Sequence, residues 1–276
     1  MKNKNTIFTL IIILLLIVGL SLLFYPYVSN YWNERHQSRA ISQYAADLAH
    51  LQADDYQKML AEAHRYNENL FKQANFQALS QAQKAEYLSL LDISGTGIMG
   101  YIEIPKIKCR LPIYHTAEES VLQNAAGHVE YSSLPVGGAN THAVISAHRG
   151  LPSAKLFTDL DRLEVGDIFE ICVLKETLYY QVDQIVIVEP DDIDNLKIVE
   201  GKDYATLLTC TPYGINTHRL LVRGCRTETP ITAESDITIE DTATKSHFSA
   251  LLGIILGIVM IIVLWGMKKF FETRRR

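Results

Sequence analysis

The sequence contains no C-x-x-C pair and no H-E-x-x-H segment, although it has 4 cysteines and 9 histidines. Zinc ribbons, thioredoxin-like exchange and zincin-type metal chemistry therefore find no support, and no metal or cofactor is expected. Basic charge is also scarce: 26 Lys and Arg stand against 31 Asp and Glu, a formal net charge of −5. Without a basic footprint, DNA and RNA are poor partners. Internal repeats and low-complexity tracts are missing as well. An even cysteine count outside a cell would allow two disulfides in three pairings, but a portion this long can bury a core without such staples.

Two apolar runs stand out against this background. Ile7–Phe24 is free of charge, and so is Phe248–Met267. Each is long enough for a helix to cross a hydrocarbon core of roughly 30 Å. A signal peptide would have an apolar stretch of about 7–15 residues ending in a small-x-small cleavage site. The first run is longer and leaves through Phe24-Tyr25-Pro26-Tyr27, bulky residues suited to an interfacial belt. It reads as an uncleaved anchor. Lys2 and Lys4 precede the first run, and Lys268, Lys269, Arg274, Arg275 and Arg276 follow the second. Both ends are expected to be cytoplasmic by the positive-inside rule, with everything between them outside. These ends carry net charges of +2 and +4, which leaves the outer portion at −11.

Residues 30–91 have helical periodicity. Apolar positions fall at Ile41, Tyr44, Leu48 and Leu51, then at Tyr56, Met59, Ala63, Tyr66 and Leu70. The phase slips near Asp54, where Asp54 and Gln57 resemble a capping box, and Ser80 with Gln83 marks a further helix start. Ser94-Gly95-Thr96-Gly97 ends the helical section. From Ile98 the pattern changes to short β-branched and aromatic runs bounded by turn residues. The candidate strands are Ile98–Ile104, Leu111–His115, His142–Ala147, Asp167–Leu174, Leu178–Val188, Tyr204–Cys210 and Thr217–Gly224. Short strands in this number, with few long helices, predict a closed or nearly closed β-barrel. Thr227–Ser246 is polar and reads as a tether to the second run.

The chemistry concentrates in Tyr204–Gly224, a strand, a loop over Thr211–Asn216 containing Pro212 and Gly214, and a second strand. Cys210 closes the first strand. If it lies opposite Thr217, Leu208 faces Arg219, and Cys210 and Arg219 become diagonal neighbours about 7–8 Å apart. A slip of one residue would put them on opposite faces. A free thiol titrates near about 8.5 and attacks carbonyls as thiolate, so a base or cation is required nearby. His148 in Ile145-Ser-Ala-His-Arg-Gly150 ends another β-rich run and is the candidate. Arg219 carries five N–H donors and stays charged, which suits a developing oxyanion. His128 and His142 are rival bases, and Arg149 and Arg223 rival helpers. Cys109, Cys172 and Cys225 read as structural, and the acidic run Glu189–Asp194 as a solvated loop rather than a cation site.

Thr206-Leu207-Leu208-Thr209-Cys210, the nine-residue step to Arg219 and the upstream Ala147-His148-Arg149-Gly150 resemble the signature of sortases. Gly97–Pro105, His142–Leu163, Thr211–Gly224 and the second apolar run are similar to class C sortases, the pilin polymerases of Gram-positive bacteria. The resemblance implies an eight-stranded β-barrel with an N-terminal helical arm and flanking membrane helices. It also implies cleavage of an LPxTG-like signal between Thr and Gly, a thioester on Cys210, and transfer to a pilin lysine. The partners would be pilin subunits and the membrane. Ser146, Leu208, Thr209 and Thr211, which flank the catalytic pair in the chain, are candidate substrate contacts. Many class C sortases have an Asp-Pro-aromatic lid in the arm, and this chain has none. Phe71 and Phe76 are the aromatics in that neighbourhood, expected to pack in the arm and leave the site open.

The expected division is a cytoplasmic N-terminus (1–6), a membrane anchor (7–25), an extracellular helical arm (26–96), a catalytic β-barrel (97–226), a tether (227–247), a second membrane helix (248–267) and a basic cytoplasmic tail (268–276). Two other activities use the same residues or none of them: a hydrolytic cysteine peptidase or amidase acting on cell-wall peptide, and a non-enzymatic membrane-held scaffold for surface fibres.

Overall fold

The computed structural model describes residues 2–73 and 79–228. Phe76, most of the tether, the second apolar run and the basic tail lie outside the described residues. Helix α1 spans Lys2–His50, and the stretch from Ile7 onward is long and apolar enough to cross a membrane. From Tyr25 to the end of the described chain the residues form one compact unit.

In that unit α1 is followed by α2 (Ala53–Gln73) and α3 (Gln81–Ser89). The predicted periodicity is observed. Ile41 and Tyr44 of α1 are buried, as are Ala63, Tyr66, Asn67 and Leu70 of α2. Ser80 and Gln83 form the expected capping box on α3, an arrangement worth about 1 kcal/mol. Helix α2, however, starts at Ala53, with the Tyr56 amide donating to Gln52 O at 3.0 Å. Asp54 and Asp55 therefore sit in its first turn, where negative charge suits the helix dipole, and Asp54 is not the cap. Asn67 is a polar residue on the buried face. Its amide donates to Leu134 O at 3.0 Å and its carbonyl accepts from Leu134 N at 2.8 Å, so burial leaves nothing unpaired.

Eight strands follow: β1 (Ile98–Ile104), β2 (Cys109–Tyr114), β3 (Ala126–His128), β4 (Thr141–Ser146), β5 (Ile168–Val173), β6 (Glu176–Val188), β7 (Asp203–Thr211) and β8 (His218–Thr227). They close into a barrel in the order β1-β2-β3-β4-β7-β8-β6-β5, with β5 returning to β1. Pairing is antiparallel except between β2 and β3 and between β4 and β7. Between β2 and β3 lies α4 (Glu119–Leu122), a single helical turn. Strand β3 has no counterpart among the sequence-predicted strands. Its three residues, Ala-Gly-His, are too few and too small to show an alternating pattern.

Side chains alternate across the barrel wall. Ile145, Leu207, Leu220, Val222 and Phe169 fill the interior together with residues from α2 and α3. A second, smaller apolar cluster of Val144, Val188, Leu196 and Leu221, joined by Val129, Val186 and Leu208, occupies the outer wall. At the β1–β5 seam the Tyr44 hydroxyl of α1 donates to Met99 O at 3.0 Å and accepts from Leu174 N at 2.8 Å.

Candidate active site

The β7–β8 hairpin carries two of the three sequence-predicted catalytic groups. Strand β7 runs to Thr211 and β8 opens at His218, so the connecting loop is Pro212–Thr217. Its turn closes on one carbonyl: the Ile215 and Asn216 amides both donate to Pro212 O at 3.0 Å. The loop has the predicted length but lies one residue further along the chain, which moves the register by two. Cys210 pairs directly with Arg219 and Leu208 with Leu221. The expected diagonal relation, with Cys210 opposite Thr217, is thus corrected to a closer one on the same face.

His148 reaches this pair through β4. The parallel β4–β7 ladder pairs Ser146 with Leu208, and the Ala147 amide continues it by donating to Leu208 O at 3.2 Å. The phase of that ladder brings His148 level with Cys210. Cys210, the candidate nucleophile, is therefore flanked on its central strand by His148 from one side and Arg219 from the other. The turn after His148 is pinned: its carbonyl accepts from Phe157 N at 3.1 Å, and the Gly150 amide donates to Thr158 Oγ1 at 3.2 Å. Gly150 has φ +76, which a side chain rarely tolerates.

All three groups share the outer wall with Leu208, Leu221 and Ser146, because paired residues and alternate residues along a strand face the same way. The small outer apolar cluster thus forms a floor that leads up to Cys210. Arg219 is held by carbonyls of its own loop, Nη1 donating to His218 O at 3.2 Å and Asn216 O at 3.4 Å. Its Nε and Nη2 have no partner among the described residues.

Of the candidate substrate contacts, Ser146 and Leu208 lie on the nucleophile's face. Thr209 and Thr211 alternate to the other side and are buried. The Thr209 hydroxyl donates to Ala147 O at 2.8 Å, tying β7 to the segment that holds His148. Thr211 Oγ1 accepts from Arg149 Nη1 at 3.5 Å. Phe71 lies half-buried in the last turn of α2.

The rival groups are engaged elsewhere. His128 stacks on Tyr87, accepting from its hydroxyl at 3.0 Å and donating to Ser133 O at 2.8 Å. His142 donates to Lys197 O at 2.9 Å and accepts from Thr206 Oγ1 at 2.7 Å. Burial pushes both imidazoles down to about 4, so at neutral pH each is uncharged and keeps the single N–H that it donates. Arg223 makes a two-point pair with Asp183 at 3.0 and 2.8 Å and covers the Tyr204 ring. The Arg149 side chain is buried, paired with Asp161 and set over Tyr213, so it braces the Pro212–Thr217 loop from below. All four cysteines are free thiols. Burial pushes Cys109 up to about 12 and raises Cys172, which makes both poor nucleophiles. Within the acidic run, Glu189 pairs with His218 and Asp194 with Lys197.

One neighbour of the site escaped sequence reasoning. Glu119 of α4 accepts from His148 Nε2, with 3.2 and 3.1 Å to its two oxygens. It is 29 residues from His148 in the chain, in a charged stretch that carries no motif.

A protein-family model described as the sortase domain matches residues 102–227. Sortase A of Bacillus anthracis is 27% identical over 224 residues, covering 80% of this chain and 95% of that protein. The crystal structure of sortase C1 from Streptococcus agalactiae superposes with a TM-score of 0.68 at 51% identity, covering 69% of this chain and 99% of that one. Sortase C of Clostridium perfringens, solved with the C-terminal cell wall sorting motif, gives a TM-score of 0.62 at 45% identity, covering 70% and 100%.

Proposed function

Because this chain belongs to the sortase family of cysteine transpeptidases, we propose that it polymerises pilins, joining the sorting signal of one subunit to a lysine of the next. The observation that carries the reading is the placement of Cys210 between His148 and Arg219 on one outer face, above an apolar floor.

An LPxTG-like signal would lie along that floor, its apolar residues over Leu208 and Leu221 and its backbone beside Ser146. The Cys210 thiolate attacks the carbonyl carbon of the Thr–Gly bond. The free donors of Arg219 hold the carbonyl oxygen as negative charge builds on it. The C–N bond then breaks, the leaving amine takes a proton from His148, and the acyl group remains as a thioester. In the second half the lysine amine attacks the thioester and gives a proton to His148, and the thiolate departs. The net change is one amide exchanged for another, with no redox partner.

The apolar start of α1 would hold the enzyme in the membrane with the barrel outside and both termini in the cytoplasm. Reporter fusions following Arg276 that are active on the outer side would overturn that arrangement.

The reading is tested with the full-length protein in detergent. An LPxTG peptide should give an acyl adduct on Cys210 by mass spectrometry, and an added pilin should yield an isopeptide-linked product. Hydrolysis alone, unchanged by any amine, would favour a peptidase. No adduct and no loss of function on thiol alkylation would favour a scaffold.

A further inference from the structure

We infer that Glu119 is a positioning residue for His148, making the catalytic base the middle member of a Cys–His–Glu relay. The inference rests on the transpeptidase reading for its kinetic consequence but not for its structural one.

A carboxylate only accepts hydrogen bonds, so the ring nitrogen facing Glu119 must carry hydrogen. That nitrogen is Nε2, which lies within reach of both carboxylate oxygens. The pairing therefore assigns Nε2–H to His148 in the neutral state and leaves Nδ1 as the atom that takes up and releases the working proton. Among the described residues Nδ1 has no partner. A base whose ring is free to rotate between tautomers would offer the wrong nitrogen part of the time. A base held by a third group does not, which is the arrangement that activated nucleophiles require.

Glu119 is itself held. Gln123 Nε2, one turn later, donates to its Oε1 at 3.4 Å. The end of this turn is tied to the arm, since Gln37 of α1 donates to Asn124 O at 2.7 Å. The neighbouring Glu118 meets Lys84 of α3 at 3.4 Å. Two arm helices thus fix the segment that presents the carboxylate to the base.

Exposure separates this role from a role in folding. The Glu119 side chain is 67% exposed and that of His148 24%, and exposed pairs of this kind contribute little to stability. Their value lies in orientation. Removing Glu119 should leave the barrel folded and slow the steps that move a proton. The expected loss in kcat is roughly tenfold, smaller than the hundredfold or more contributed by a whole acid–base group.

The test uses full-length wild type, Glu119→Ala and Glu119→Gln in detergent. The first readout is steady-state cleavage of an LPxTG peptide. Glu119→Ala should lower kcat about tenfold with KM within roughly twofold, while Glu119→Gln, whose amide oxygen still accepts, should recover most of the rate. An unchanged kcat in Glu119→Ala, an effect confined to KM, or no recovery in Glu119→Gln would each overturn the inference. The second readout needs no substrate: the tautomer of His148 by 15N NMR on histidine-labelled protein, assigned with His148→Gln. Wild type and Glu119→Gln should hold Nε2–H at alkaline pH, and Glu119→Ala should show a mixture. Identical tautomer ratios in all three would overturn the relay. A wild type that cleaves no sorting peptide would count against the pilin reading alone, because the NMR comparison still decides the role of Glu119.

Discussion

Cys210 and Arg219 are direct cross-strand partners, the second rung from the turn of the β7–β8 hairpin. The thiol-bearing and guanidinium-bearing residues therefore share one face at the spacing of paired residues. Loop carbonyls hold Nη1, while Nε and Nη2 have no partner among the described residues, so the group is anchored through one nitrogen and keeps donors to spare. Lysine offers a single centre on a flexible stem and cannot be anchored and donating in this way. Arg219→Lys is expected to lower kcat by roughly tenfold to a thousandfold, as for the loss of an oxyanion donor. Steady-state kinetics at matched pH check this, and a near-normal rate would show that positive charge alone suffices.

Cys210→Ala should abolish both cleavage and transfer, since the thioester has no other site. Changing Cys109 or Cys172 to Ala or Ser should leave most of the activity, because burial raises both thiols away from reactivity. The same is expected for Cys225 on β8, which pairs with Tyr204, six rungs along the hairpin ladder from Cys210. Mass mapping of a trapped acyl adduct decides the matter. An adduct on any of these three would displace Cys210 from its role.

Stability should fall on mild acidification. The folded chain holds His128 and His142 unprotonated down to about 4, whereas both take up protons near 6.5 when unfolded. Between those limits the unfolded state binds more protons, so stability rises with pH and is lost as pH drops from 6.5 towards 4. The slope is at most about 1.4 kcal/mol per pH unit for each histidine. Denaturant melts across this range should show the loss, and His142→Gln, which keeps a donor and an acceptor, should flatten the curve. The comparison separates the histidines from Asp203 and Glu170, whose burial-raised acids respond with opposite sign.

The site should be open to small reagents. Phe71 sits in the last turn of α2, next to Leu70 on that helix's buried face. Alkylation of Cys210 is expected to run at equal rates in wild type and Phe71→Ala. A clear acceleration, with an unchanged circular dichroism spectrum, would identify Phe71 as an aromatic plug.

The barrel and the candidate catalytic residues were legible because they rest on local signals. Strands of six residues or more alternate visibly, and Cys210, His148 and Arg219 sit in short motifs. Two things were not legible. The register of the hairpin depends on which carbonyl the turn residues choose, and Pro212 O rather than Thr211 O closes the loop, a choice invisible in composition. Contacts between remote segments also left no trace. Glu119 meets His148 because β2, α4 and β3 fold back beside β4, and Arg149 is buried because Asp161 lies across the following turn. Each depends on the assembled barrel, and neither residue type is unusual for a loop.

The Tyr44 hydroxyl has a consequence for where this domain begins. It sits where the β1–β5 ladder ends, beyond the Gly100–Val173 rung, and links a carbonyl on one strand to an amide beyond the other. In effect a phenol supplies the last rung of the wall. Strand content places the start of the barrel near Ile98, but excising the chain there would strip Met99 O and Leu174 N of the hydroxyl that joins them and would bare the core residues that pack against Tyr66, Leu70 and Tyr87 of the arm. The unit that folds is longer than the unit that looks like a barrel, and its N-terminal limit falls within the first helix, ahead of residue 44.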